Sequence, residues 1–366
     1  MLRRRSAWSI LLPLLVSSCG AGGGGGPASS RSDDRPNLLF ILSDDQRPDA
    51  IGVEGNRNVR TPSLDRLAAE GARLEAFYVS TPMCAPSRAA FLTGRYGHQT
   101  GVLSNAALGP VHAARDLDLF GFPTADLDPG TKTIGHALHE AGYETGFVGK
   151  AHLGGDPRVW GFDETPVWLR QAAIPGTTGA DPVLTVDGQP RRFSGHASAI
   201  FADAAIDFIH RHRDDRWFLW LAPTAPHFPY DVTDEYDVTP ASIVPPPLWP
   251  PEEPLSGYDW RSYYATINLL DAQIGRVLDA LREEGLIDET FIVFTSDNGE
   301  MMGRFGPDSR LSEKGVWYEA SARTPAIVRY PARVTPGSLV QSPVGAVDVV
   351  STLLELGRAT PLPGTG

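Results

Sequence analysis

The sequence contains little cysteine, fewer basic than acidic residues, and no apolar run long enough to cross a bilayer. Cys19 and Cys84 are the only cysteines among 366 residues, too few for a disulfide framework, so each needs its own explanation. The net charge of -12 argues against a nucleic acid partner, because neutralising phosphates requires clustered Lys and Arg. With 42% hydrophobic and 21% charged residues, the composition is that of a soluble globular protein, and an anionic substrate would need local cations to hold it.

Residues 1–18 are typical of a signal peptide. Three arginines at positions 3–5 precede a mostly apolar stretch, 7–16, which is too short to span a bilayer. The letters VSS before Cys19 resemble a bacterial lipobox and predict lipidation of Cys19, although an ordinary signal peptide with a chance cysteine would look similar. The Gly- and Ser-rich stretch that continues to residue 34 predicts a flexible tether. We therefore expect an exported protein, periplasmic or on the cell surface, that touches a membrane only through a lipid anchor at Cys19.

The folded domain is expected to cover residues 35–366 and to belong to the α/β class. Apolar runs alternate with helical patterns, which predicts a large, mainly parallel mixed sheet flanked by helices on both faces. The predicted strands cover 37–42, 143–148, 217–221, 291–295 and 326–329. The predicted helices cover 62–70 after an N-cap at Thr61, a segment from near Pro86, 134–141, 198–210 with Ser198 as N-cap, 263–284 and 347–356.

Two of the predicted strands end in the same way, with Ser followed by oxygen-bearing side chains. Asp44 and Asp45 follow the first strand, and Asp297 and Asn298 follow the fourth. Because parallel strands deliver their carboxyl ends to one edge of a sheet, we expect these side chains to converge. Three carboxylates repel one another without a cation, and all-oxygen ligation suits Ca²⁺ or Mg²⁺ and not zinc. Each pair alone could be a helix cap or a turn, but the repetition favours a metal site.

Other candidate groups also follow predicted strands or begin a helix. Lys150 and His152 come after the strand at 143–148, and His227 comes after the strand at 217–221, although a lone Lys or His in a loop is usually only solvated. Cys84 precedes a predicted helix, where the pKa of a thiol is lowered. An inert free cysteine and a thiolate nucleophile are both open for Cys84, but neither explains the residues that follow it.

Those residues carry a resemblance to a known family. The letters CAPSR at 84–88 and LTGR at 92–95 resemble the signature of the sulfatases, within the alkaline-phosphatase-like superfamily. In that family the cysteine is oxidised to formylglycine during export. Further blocks resemble the family in the same order, from residue 36 to the end of the chain. They cover 37–47, 61–67, 149–154, 225–229, 294–299 and 314–325.

The resemblance implies that the catalytic group is a formylglycine made from Cys84. One hydroxyl of the hydrated aldehyde would attack sulfur, and the other would expel sulfate, a route that serine or unmodified cysteine lacks. The resemblance also implies a Ca²⁺ site, in preference to Mg²⁺. Its implied ligands are Asp44, Asp45, Asp297, Asn298 and an oxygen of the modified Cys84.

The remaining polar residues of the resemblance would handle the sulfate and the protons. Arg88 would steady the hydrated aldehyde, and Lys150 would contact both that group and the sulfate. His227 and Lys314 would hold the sulfate and protonate the leaving oxygen, while His152 would deprotonate the second hydroxyl. The implied partners are a small-molecule or carbohydrate sulfate ester and a formylglycine-generating or sulfatase-maturing enzyme.

Some segments depart from the family pattern. The letters GRFG at 303–306 stand where a GEHG-like stretch is usual, and 103–127 matches no block and is expected to shape substrate choice. A Pro-rich stretch at 230–254 is expected to be a surface loop near the site. The sequence ends soon after the late helix, so the smaller C-terminal subdomain is expected to be absent or truncated.

Two alternative functions stay open. The same metal and cations would serve phosphate diesters or phosphonates as well as sulfate esters, which makes a related hydrolase the first alternative. A non-catalytic surface lipoprotein is the second, if Cys84 is never modified.

Overall fold

The computed structural model describes residues 33–105, 126–170, 179–232, 234–237, 240–255, 257–305 and 314–364. The predicted signal peptide, the lipidation site at Cys19 and all but the last residues of the tether lie outside these ranges, as does most of 103–127. Within the described ranges, every helix is too short or too polar to cross a membrane.

The main element of the fold is a mixed sheet of ten strands, which confirms the predicted α/β class. The strands are β1 (Asn37–Ser43), β2 (Ala72–Leu74), β3 (Phe77–Tyr78), β4 (Glu144–Lys150), β5 (Trp168–Leu169), β6 (Val183–Val186), β7 (Gln189–Arg192), β8 (Trp217–Ala222), β9 (Thr290–Ser296), β10 (Ile327–Arg329), β11 (Ser338–Val340) and β12 (Val344–Gly345). The order in the sheet is β11-β2-β10-β9-β1-β8-β4-β5-β6-β7, and β3 pairs separately with β12.

The centre of the sheet is parallel and its margins are partly antiparallel. Strands β9, β1, β8 and β4 lie side by side and parallel, whereas β10, β6 and β7 run antiparallel to their neighbours. The central strands are the continuous apolar runs of the sequence, as expected for strands covered on both faces. Their carboxyl ends therefore share one edge of the sheet.

The described helices lie close to the predicted positions. They are α1 (Pro62–Glu70), α2 (Cys84–Thr93), α3 (Gly97–Thr100), α4 (Ile134–Glu140), α5 (Ala197–Arg211), α6 (Trp260–Glu283), α7 (Glu319–Ala322) and α8 (Ala346–Leu356). Short 3₁₀ turns cover Gly52–Glu54, Pro157–Trp160 and Asp234–Tyr236.

The structure corrects one prediction about a helix start and refines two others. The N-cap of α5 is His196, whose Nδ1 accepts the Ser198 N–H at 3.1 Å, so Ser198 is already inside the helix. Thr61 does precede α1, but the cap hydrogen bonds come from the distant Asp271, whose carboxylate accepts two N–H groups of the first turn. Helix α2 starts at Cys84, so Pro86 lies within its first turn, where a proline forfeits no helical hydrogen bond.

Alternate residues of β1 show how the layers are built. Leu38 and Phe40 pack with apolar residues of α2, α4 and α8, whereas Leu39 and Ile41 pack with residues of α1, α5 and α6. Burying each such side chain contributes roughly 1.5–3 kcal/mol to folding. The sheet is thus a rigid platform between two helical layers, and its carboxyl edge is the place where polar groups gather.

Candidate functional site

The loops after β1 and β9 meet at the carboxyl edge, since the last residues of the two strands are paired in register. The Asp45 N–H donates to Asp297 Oδ1 at 3.2 Å, and Asn298 Nδ2 donates to Asp45 Oδ1 at 2.6 Å. All three residues are buried, as is Asp44. The structure therefore places the four side chains that end the two strands in one cluster.

A tyrosine that the sequence analysis missed holds this turn. Asp45 has a left-handed backbone with φ of 65°, which is unfavourable for a residue other than glycine. The hydroxyl of Tyr263, on α6, donates to the Asp45 carbonyl at 3.0 Å and accepts the Arg47 N–H at 3.0 Å. Helix α6 thereby holds the backbone of Asp45 in this conformation. The sequence offered no signal for this, because Tyr263 also fits the apolar stripe of α6.

Two buried cations neutralise the deepest carboxylates. Lys150, the last residue of β4, donates from Nζ to Asp44 Oδ2 at 2.5 Å. Arg88, one helical turn after the start of α2, donates from Nε to Asp297 Oδ2 at 2.8 Å and from Nη1 to the Lys150 carbonyl at 2.6 Å. Each charge is thus paired within a region from which water is excluded, where an unpaired ion would be costly.

Cys84 lies between these groups at the first position of α2 and is fully buried. Its Sγ is 3.6 Å from Asp44 Oδ1, 3.8 Å from Asp45 Oδ1 and 3.0 Å from Lys314 Nζ. Burial raises the pKa of the Cys84 thiol well above its ordinary value, despite the nearby ammonium groups. The expectation of a lowered pKa at this helix start is therefore wrong, because loss of solvation outweighs the helix terminus. A neutral thiol is a poor nucleophile.

Lys314 pairs with the carboxylate closest to the solvent. Its Nζ donates to Asp45 Oδ1 at 2.6 Å and Oδ2 at 2.7 Å. The pKa of Lys314 is raised well above its ordinary value, because the attraction of Asp45 and neighbouring groups outweighs burial. The same contact lowers the pKa of the Asp45 carboxyl, although burial opposes this. Both groups are therefore charged at neutral pH.

The two predicted histidines are neutral. Burial lowers the pKa of His227 to about 3, and its Nδ1 contacts the Phe228 carbonyl while Nε2 lies 3.5 Å from Asp45 Oδ2. Burial, with the nearby cations, also lowers the pKa of His152 well below its usual range. Both ring nitrogens of His152 are buried and make no hydrogen bond within the described structure. Such unpaired buried atoms are rare and call for a ligand or a proton to satisfy them.

The donors in the cluster fit a hard divalent cation. Ligand atoms of four residues lie within 4.8 Å of one another: Asp44, Asp45, Cys84 and His227. Burial and the charge of nearby Asp44 raise the pKa of Asp297 to about 6, a repulsion that a cation would relieve. Asn298 Oδ1 is buried without a hydrogen-bond partner. The sulfur of Cys84 is the one soft ligand, and replacing it by oxygen would leave a site of mostly oxygen donors.

A pocket of about 700 Å³ opens above the cluster. Its floor is formed by Asp45, His227 and Lys314. Its walls were not predicted from the sequence, apart from the expectation that 230–254 lies near the site. The wall residues are Phe228, Pro229, Tyr230, Asp231, Tyr258, Asp259 and Glu300. Of the residues predicted for catalysis or metal binding, Asp45, His227 and Lys314 line the pocket, and the others are buried. The chemical roles given to all of them stay predictions.

Comparison with known proteins gives a consistent result. The family model described as Sulfatase matches residues 36–359. An ulvan-active sulfatase of Formosa agariphila is 31% identical over 338 residues, covering 88% of this chain and 61% of the relative. N-acetylgalactosamine-6-sulfatase of Homo sapiens is 30% identical over 359 residues, covering 89% of this chain and 63% of the relative. The chain thus spans less than two thirds of the length of these two relatives.

A solved structure has the same fold. It is a protein in complex with its substrate D-glucosamine-2-N,6-O-disulfate, and it superposes with a TM-score of 0.74 at 25% identity. The match covers 90% of this chain and 78% of that chain. The large sheet with helices on both faces is therefore common to the two proteins.

The buried pair of Lys150 and Asp44 gives a test of the charge balance. Lys150→Met should lower the free energy of unfolding by roughly 3 kcal/mol or more, because it leaves a buried carboxylate without its partner. Urea unfolding with a chelator present measures this without a bound cation replacing the ammonium. The matched control is Lys132→Met, which breaks an exposed pair with Glu140 and should cost far less stability, because solvent screens exposed pairs. An equal loss of unfolding free energy in the two variants would contradict the role of Lys150 as the charge partner of the buried Asp44.

Proposed function

The chain belongs to the sulfatase family, and we propose that it hydrolyses sulfate esters with the help of Ca²⁺ and a formylglycine made from Cys84. The observation that carries the proposal is the place of Cys84. It lies buried below a pocket, among the carboxylates of Asp44 and Asp45 and next to the ammonium of Lys314. An anion that enters the pocket would meet that ammonium first, with two further cations behind it.

The proposed Ca²⁺ site consists of Asp44, Asp45, Asp297 and Asn298, completed by an oxygen at position 84. The raised pKa of Asp297 and the unpaired Asn298 Oδ1 support this assignment, because a bound cation would relieve both. When bound, the ion supplies positive charge that favours deprotonation of a neighbouring hydroxyl. Arg88 holds Oδ2 of the Asp297 carboxylate, while the Asp45 N–H bonds its Oδ1.

The protonation of Cys84 supports its role as a precursor and not as the nucleophile itself. A fully buried thiol with a raised pKa does not supply a thiolate at neutral pH. Oxidation by a maturing enzyme during export would replace the thiol with an aldehyde, whose hydrate offers two hydroxyls on one carbon. A buried thiol must be reached before the chain folds, which is consistent with modification during export.

Sulfate binding and proton transfer are assigned to the ionisable groups in and below the pocket floor. Lys314 is protonated, so we assign it both to holding a sulfate oxygen and to giving a proton to the leaving oxygen. His227 lies beside Lys314 on the pocket floor, and we assign it to contacting the sulfate. His152 is neutral with both nitrogens unpaired, so it is available to accept the proton of a hydroxyl at position 84. Lys150 contributes charge from below through its contact with Asp44.

Replacing the nucleophile precursor tests the chemistry. Cys84→Ala should lower sulfate release from an aryl sulfate by at least about a thousandfold, because it removes the attacking group. Mass spectrometry of the peptide that holds residue 84 should give a mass below that of the thiol form in active wild-type protein. A matched aryl phosphate serves as the comparison for the phosphoryl-transfer alternative. Undiminished sulfate release by Cys84→Ala, or an active sample whose Cys84 is still a thiol, would overturn the proposal.

Metal removal tests the ligand set. Exhaustive chelation should abolish sulfate release, and Ca²⁺ should restore it better than Mg²⁺, which requires a stricter octahedral geometry. Asn298→Ala should weaken Ca²⁺ binding, measured by calorimetric titration, by about tenfold or more. Full activity after chelation, or unchanged Ca²⁺ binding by Asn298→Ala, would argue against this site.

We also propose that residues 1–18 direct export and that a lipid on Cys19 anchors the protein in the periplasm or on the cell surface. The support is the basic start, the short apolar stretch and the small residues before Cys19. Cys19→Ala should move the protein from the membrane fraction to the soluble fraction of cells that express the full chain. Cys84→Ala is the matched control and should stay with the membrane. If Cys19→Ala fractionates like the wild type, the anchor lies elsewhere.

A further inference from the structure

The walls of the pocket carry charge opposite to that of its floor. Lys314 is the only Lys or Arg among the described residues that line the pocket. The walls instead contribute the carboxylates of Asp231 and Asp259, both exposed, and of the more buried Glu300. A sulfate that reaches Lys314 leaves the rest of its molecule beside these carboxylates. A second anionic group on that molecule would be repelled by them.

The two exposed wall carboxylates are held in place by the backbone. Asp231 Oδ2 accepts the Ala180 N–H at 3.0 Å, and Asp259 Oδ1 accepts the Ser262 N–H at the start of α6, also at 3.0 Å. Among the described residues, no donor is bonded to the second oxygen of either carboxylate. Each group is therefore fixed in position and retains an acceptor for a ligand hydroxyl or amine.

An exposed aromatic ring completes the wall. Phe228 follows His227 and is 65% exposed. Its ring packs edge-on against Tyr230 at 5.7 Å between centroids, and Tyr230 packs in the same way against Tyr263 at 5.7 Å. The chain of rings fixes Phe228 at the pocket although most of its surface meets solvent. Such a ring can stack on the apolar face of a ligand.

An aromatic face beside fixed carboxylate acceptors is the chemistry that recognises a sugar ring, which has apolar C–H faces and outward hydroxyls. We propose that this pocket is a sugar subsite that selects monosulfated sugars without a second anionic group and favours those with a free amine. The inference rests on the proposed function for the sulfate end of the ligand. Phe228 would stack on the ring, and Asp231 and Asp259 would accept from its hydroxyls or its amine.

Three sugars that differ at one position test the selection: glucosamine 6-sulfate, N-acetylglucosamine 6-sulfate and glucosamine 2-N,6-O-disulfate. Their inhibition constants are measured at low ionic strength against turnover of an aryl sulfate whose aryl group carries no charge. We expect glucosamine 6-sulfate, which has a free amine, to bind best. We expect glucosamine 2-N,6-O-disulfate to bind roughly tenfold more weakly than N-acetylglucosamine 6-sulfate. Added salt should shrink these differences, because exposed charges are screened.

The variants Asp231→Asn and Asp259→Asn remove charge but keep an oxygen for the backbone hydrogen bond. Each variant should reduce several-fold the preference for glucosamine 6-sulfate over the disulfate, measured as the ratio of their inhibition constants. Asp279→Asn, an exposed carboxylate near the other end of α6, is the control and should leave the preference unchanged. Phe228→Ala should weaken all three sugars several-fold, and Phe228→Leu should weaken them less.

The proposed function and the proposed sugar subsite are contradicted by different results. Absence of aryl sulfate turnover would overturn the proposed function, and the pocket is then tested by calorimetric binding of the same three sugars. The proposed sugar subsite would be overturned, even if sulfate release is normal, by either of two results. One is that the disulfate binds as tightly as glucosamine 6-sulfate, and the other is that both Asn variants keep the full preference for glucosamine 6-sulfate.

Discussion

The arrangement of the site depends on one constraint, the crowding of three buried carboxylates where β1 and β9 end. Asp44, Asp45 and Asp297 are delivered there by two parallel strands paired in register, so the backbone leaves them no way to separate. Buried like charges are tolerated only with compensating charge. The compensation arrives from other elements, through Lys150 at the end of β4 and Arg88 on α2.

This compensation explains the state of Cys84. Each cation near the cluster is already paired with a carboxylate, so little positive charge is left to stabilise a thiolate, and burial raises the pKa of the thiol. The same surroundings fit the proposed precursor role of Cys84 and the proposed bound cation. Helix α2 begins at Cys84, which places the residue at the centre of the cluster while Arg88, one turn later, reaches Asp297.

In the proposed function, the pocket floor carries out the chemistry and the pocket walls select the substrate. Its floor has Lys314, protonated because Asp45 holds it, and can attract one sulfate group. Its walls carry aromatic rings and carboxylates, which suit a sugar and disfavour further anions. The acidic net charge of -12 is in keeping with this, since attraction of an anion is confined to one point.

The sequence by itself determined the α/β class, the positions of the central strands and the residues at their ends, because these follow from local apolar patterns and short motifs. The family resemblance added Arg88 and Lys314 to these residues. Only the tertiary structure decided the role of Tyr263, which holds Asp45 across 218 positions of the chain. It also decided the cap that Asp271 gives α1 and the high pKa of Cys84. These depend on burial and on groups from distant segments, and no local pattern encodes them.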